Sequence, residues 1–123
     1  MSIHAGKEKE SRMDNLFAVP EETRQEEAPE RFDPILTGNR GLLVERIVSH
    51  GHATPEGTWY DQERDEWVVV LEGEATLGYE DGSELSLRKG EHVFLPKHVR
   101  HRVTRTSSPC IWLAVHGDAL QRE

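Results

Sequence analysis

At 123 residues with a formal net charge of −8, the chain holds one domain at most. The acidic balance excludes the cationic footprint that nucleic acid or an anionic membrane surface would need. The start, "MSIHAGKEKE", lacks the apolar core of a signal peptide and no run reaches membrane-spanning length, so a cytoplasmic location is expected.

In chain order, residues 1–34 hold the charge-dense runs "KEKESR" and "EETRQEEAPER". With so few large apolar side chains, burial cannot offset ordering entropy, so this extension is expected to be largely flexible or draped over the surface. Within it, "NLFAV" offers Leu16 and Phe17 for docking on the domain or on a partner subunit, and "PEETRQEEAPERF" has room for one short helix. Residues 35–123 are expected to form a single all-β domain. "GLLVERIVS" is a β-branched run that ends at the breaker-rich loop "HGHATPEG". "EWVVVLEG" reads as a mostly buried strand, and "EATLGYEDGSELSLRKG" alternates on both sides of Asp81 and Gly82, a short-hairpin signal. "EHVFLP" and "RHRVTRTS" are expected to pair around "KHV", and "CIWLAVHG" supplies the last strand. Turn signals recur at the spacing of a sandwich or barrel. Cys110 is the one cysteine, which excludes an intrachain disulfide and predicts a buried, inert thiol.

Alternation assigns faces. Glu66, Val68 and Val70 share one side of their strand, while Trp67, Val69 and Leu71 share the other. A carboxylate among valines needs a cation, a base or a hydrogen-bond donor if it turns inward. Alternation alone favours the solvated rim for Glu66.

"GEHVFLPKHVRH" resembles the second motif of the cupins: Gly90, five residues, Pro96, then His101 five positions on. His98 stands where those proteins usually have glycine, and Arg105 where they have asparagine. Of the first motif, Glu66 and Gly73 keep their separation, but its two histidines are missing. Depending on the spacing taken, their places fall to Tyr60 and Gln62 or to Trp59 and Asp61. The resemblance covers residues 41–117 and implies a single-domain jelly-roll β-barrel, with a pocket between the two motif hairpins and Glu66 inside it.

In metal-binding cupins the motif glutamate and the second-motif histidine are ligands, which carry over to Glu66 and His101. Gln62 and Tyr60 share the parity of Glu66. Asp61 is the better ligand chemically but needs a bulge to turn inward. The expected metal set is therefore Asp61, Gln62, Glu66 and His101, an oxygen-rich site suited to divalent Mn, Fe, Zn or Ni. Tyr60 and His98 are the candidates for proton transfer. His50 and His52 read as solvated loop residues, and His116 as rim packing. The expectation is a metal-dependent enzyme of oxygenase, isomerase or lyase type acting on a small polar organic molecule. A metal-free acid–base enzyme or a non-catalytic small-ligand binder is the alternative. The resemblance further implies a homodimer, and the acidic charge predicts no nucleic-acid or membrane partners.

Overall fold

Eight strands account for most of the chain after residue 30, and every pairing between them is antiparallel. The computed structural model describes residues 13–25 and 27–123; the first part of the extension, His4 included, lies outside the described residues. The strands are β1 (Arg31–Thr37), β2 (Leu43–Ser49), β3 (Asp65–Glu72), β4 (Glu74–Tyr79), β5 (Glu84–Arg88), β6 (His92–Leu95), β7 (His101–Thr106) and β8 (Cys110–Gly117). One sheet has the order β1-β2-β8-β3-β6 and the other β5-β4-β7, the two layers of a jelly roll. Among the described residues no helix is long and apolar enough to cross a membrane.

The β4–β5 hairpin forms around Asp81 and Gly82, as its alternation predicts; Gly82 has φ +88° and its N–H donates to the Tyr79 carbonyl at 2.9 Å. The pairing expected between "EHVFLP" and "RHRVTRTS" does not occur. β6 joins β3 and β7 joins β4, so the turn after Pro96 crosses from one sheet to the other. Two neighbouring apolar–polar runs look alike whether they pair with each other or face each other across a core. Here they lie in different sheets, and a cavity lies between those sheets.

Period-two burial supplies the filling between the layers. Val68 and Val70 of β3, Ala75 and Leu77 of β4, Leu87, Leu95, Trp112 and Ala114 form one cluster. Cys110 belongs to it, and burial pushes its thiol up to about 12, so the group stays protonated and inert.

The segment before β1 is tied down at two points. Val19 packs with Val48, Ile111 and Leu71, whereas Phe17 remains 45% exposed. Arg46, on the outward parity of β2, donates to the Leu16 carbonyl at 3.0 Å and to Asp33 Oδ2 at 2.9 Å. Burial raises the Asp33 carboxyl, but hydrogen bonds from Arg31 and Arg46 outweigh that and hold it below its ordinary range. The run "EETR" makes a single 3-10 turn, Glu21–Arg24, where a short helix was expected. β1 begins at Arg31, and Pro34 within it lies on the sheet's edge strand, where the register with β2 shifts between Pro34 and Leu36.

Two glycines with the same backbone angle should respond differently to alanine. Gly73 has φ +85° and a Cβ there would meet Ser107 Oγ at 2.2 Å and the Pro109 carbonyl at 2.5 Å; Gly90 has φ +86° and open space. Gly90→Ala should cost about 1–2 kcal/mol, the left-handed penalty alone, and Gly73→Ala clearly more, read as midpoints of urea unfolding.

Candidate functional site

A cavity of about 210 Å³ lies between the two sheets. Alternation builds its walls: Glu45 and Ile47 from β2, Glu66 and Val68 from β3, His101 and Val103 from β7, Trp112 and His116 from β8. Tyr60 and Phe32, 43% and 52% exposed, line it as well and mark its rim. Glu66 therefore faces inward, opposite to what alternation alone favoured, and its residue is only 8% exposed.

A carboxylate in that position loses most of its hydration. Burial is the main cause that raises the Glu66 pKa, and the Glu45 charge adds to it; His116, His101 and the Gln62 amide act in the opposite direction without cancelling the rise. His116 stands between the two acids, with Nε2 3.6 Å from Glu45 Oε2 and 3.9 Å from Glu66 Oε2. The Gln62 amide nitrogen lies 3.4 Å from His116 Nδ1. An amide nitrogen can only donate, so Nδ1 accepts and Nε2 of the neutral ring carries its hydrogen toward the carboxylates. His101 is oriented by the same logic. Its Nδ1 donates to the Val99 carbonyl at 3.0 Å, which leaves a lone pair on Nε2, and the Tyr60 ring stacks on it at 5.6 Å between centroids.

The segment "WYDQ" is locked to the second-motif turn. Tyr60 and His101 exchange two backbone hydrogen bonds at 2.7 and 3.1 Å, and the His98 N–H donates to the Gln62 carbonyl at 2.8 Å. That lock keeps the extended parity: Tyr60 and Gln62 face the cavity, and Asp61 faces away. Asp61 Oδ1 is 2.8 Å from His98 Nδ1, with both side chains about half exposed. No bulge turns Asp61 inward, so of the four expected ligands Gln62, Glu66 and His101 line the cavity and Asp61 does not. His98 is drawn out to the same surface pair. Its φ of +64° lies in the left-handed region that favours glycine, the residue the motif usually has there. The Asp61 contact and the bond to Gln62 offset the strain of a side chain at that position.

Among the described residues no group of three or more His, Cys, Asp and Glu is placed to hold an ion. Glu66 and His101 lie in different sheets, and the amide of Gln62 is engaged with His116.

Three residues of the cavity escaped the sequence. Glu45 sits in the run "GLLVERIVS", where its parity with Ile47 was a usable signal. His116 had the parity of Trp112 and Ala114 but looked like rim packing. Glu30 left no local signal: it is positioned by a relay in which Trp112 Nε1 donates to Ser49 Oγ at 3.1 Å and Ser49 Oγ donates to Glu30 Oε2 at 2.6 Å. His50 and His52, expected in solvent, are also drawn in. His50 is 7% exposed with its Nε2 against the Thr23 carbonyl, and His52 lines the cavity.

A family model described as a cupin domain matches residues 45–116. The chain belongs to the cupin family. Among solved structures, this cupin is 43% identical to a protein of Ralstonia eutropha JMP134 named as a candidate mannose-6-phosphate isomerase; the match covers 88% of this chain and 99% of that one, with a TM-score of 0.78. A protein of Neisseria meningitidis is 20% identical over 87% of this chain and 100% of its own, TM-score 0.60. FeII HppE is 21% identical over 69% of this chain and 48% of its own, TM-score 0.59. The last two likenesses show the fold alone. No curated protein matches.

The buried acid of this cupin has a consequence for stability. Folded Glu66 holds its proton more tightly than the unfolded carboxyl does, so its share of stability is complete below the ordinary value of 4.5 and is lost as pH rises through the raised one. Thermal melts of Glu66→Gln should show a midpoint that gains on the wild type as pH increases toward neutrality. A constant difference across that range would show that Glu66 ionises normally.

Proposed function

We propose that this cupin is a metal-free acid–base enzyme of isomerase or lyase type, acting on a small polar organic molecule in the cavity. The observation that carries this reading is Glu66, a buried carboxyl with a raised proton affinity that shares a cavity wall with His116 and Glu45 and has His101 across the cavity. Such a group is tuned toward the pH at which a general base works best. In the proposed step Glu66 takes a proton from one atom of the substrate and returns it to a neighbouring atom. His116 Nε2–H stabilises the carboxylate before the transfer, and His101 Nε2 accepts a substrate hydroxyl. The step moves one proton and needs no oxidant or reductant. The name of the Ralstonia relative fits this class of chemistry, because isomerisation of a sugar shifts one proton between adjacent carbons while a second passes between their oxygens. Tyr60 serves as a cavity wall, and His98 as the clamp that fixes the Gln62 backbone.

The test is a ligand screen by thermal shift, followed by nuclear magnetic resonance for solvent deuterium entering a carbon position of each hit. Glu66→Gln should bind the hit and lose exchange by about 100-fold or more. Elemental analysis of protein purified without chelator should find Mn, Fe, Zn and Ni well below stoichiometric. A full equivalent of one of them, with exchange that disappears on its removal, would replace this reading by the metal-dependent one.

The assembly proposed is a homodimer in the cytoplasm, a compartment in keeping with a single buried free thiol. β1 is an edge strand with Phe32, Ile35 and Leu36 about half exposed, and an apolar edge of this kind seeks cover. Light scattering at micromolar concentration should give twice the chain mass, falling to the monomer in Leu36→Glu. A monomeric wild type would contradict the dimer.

A further inference from the structure

Strand alternation sorts the charges of this barrel. On β2, Glu45 lines the cavity and Arg46 is turned to the outer face, bound to Asp33 and to the Leu16 carbonyl. On β7, His101 lines it, while Arg102 points away, donating to the Thr54 carbonyl at 3.1 Å and standing 5.9 Å from the Trp59 ring. The other arginines near the barrel mouth are committed outside it: Arg100 to Glu80, Arg105 to Glu74 and Arg64 to Asp118. Among the described residues, the cavity is lined by three carboxylates, Glu30, Glu45 and Glu66, brought from three different segments, and by no lysine or arginine. Glu66 is only 8% exposed and faces the cavity, with the His116 imidazole 3.9 Å away.

From this arrangement we infer that the cavity takes a small cationic amine, with its ammonium head on the cavity side of Glu45 and Glu66 and its apolar body against Val68, Leu77 and Leu95. The inference rests on the acid–base reading for the role of the cavity and adds the class of molecule that enters it. A buried carboxylate without a full cationic partner is costly, and an ammonium entering beside it supplies the missing charge and up to three hydrogen-bond donors. A phosphate or carboxylate would add like charge to three acids in a space where the described residues place no guanidinium or ammonium to receive it. This separates the chain from what the name of the Ralstonia relative suggests: the proton-shift chemistry fits, but a sugar phosphate does not fit the charge of these walls. At about 210 Å³ the space is below the usual range for drug-sized ligands, so the molecule is small.

The experiment compares four probes with one body and different heads: butylamine, butanol, butyrate and butyl phosphate. Binding to the full chain near neutral pH is followed by the indole N–H resonance of Trp112, whose ring lines the cavity, so that amine held loosely on the acidic surface does not count. Butylamine should bind about tenfold or more tightly than butanol, and butyrate and butyl phosphate more weakly than either, a difference of about 1.4 kcal/mol per tenfold. Glu45→Gln should weaken butylamine about tenfold and leave butanol nearly unchanged. Butyrate or butyl phosphate binding as tightly as the amine, an amine affinity indifferent to Glu45→Gln, or no saturable binding of any probe would each overturn the inference. Failure of the acid–base reading would look different: the amine ranking would hold, while deuterium exchange survived in Glu66→Gln.

Discussion

The carboxyl of Glu66, held in a wall between valine-bearing strands, is the constraint to which the site answers. Water cannot solvate it fully there, and an uncompensated carboxylate is expensive to bury. The surroundings meet that cost in part, with an imidazole at 3.9 Å, the Gln62 amide and a second histidine across the cavity, while Glu45 works against them. The balance leaves the proton bound more tightly than usual. A group in that state can both give and receive a proton, and it remains short of one full positive charge.

What holds the partners in place is backbone. The Tyr60–His101 bridge and the His98–Gln62 bond fasten the loop before β3 to the turn before β7, so that Gln62 meets His116 and Asp61 is left outside. On the opposite wall, Trp112, Ser49 and Glu30 form a relay that fixes a residue from before β1 at the cavity. Arg46 completes the arrangement from the outer face by holding Asp33 and the Leu16 carbonyl. The stretch before the barrel is thus part of the wall, although its composition is that of a solvated segment.

Chemistry and geometry gave opposite answers at Asp61 and Gln62, and geometry won. Asp61 is anionic and the better ligand, but an extended chain presents every second residue to one face, and Gln62 and Tyr60 share the face of Glu66. Turning Asp61 inward would need a bulge, and the His98 pair stabilises the regular path instead. The residues that replaced it, Glu45 and His116, come from strands distant in sequence, and they converge because β2, β8 and β3 are neighbours in one sheet.

By itself the sequence determined the all-β class, the Asp81-Gly82 hairpin, the two faces of β3 and the place of Glu66 and His101 in a cupin barrel. Each of those depends on period-two patterning, on turn chemistry or on a short motif, and such signals are local. Only the tertiary structure decided that β6 and β7 part to opposite sheets, that Asp61 turns out, and that Glu30, Glu45 and His116 meet Glu66. Those are contacts between segments many residues apart, and no local pattern records which strand will lie beside which. Strand order decides that, and with it the charge of the cavity.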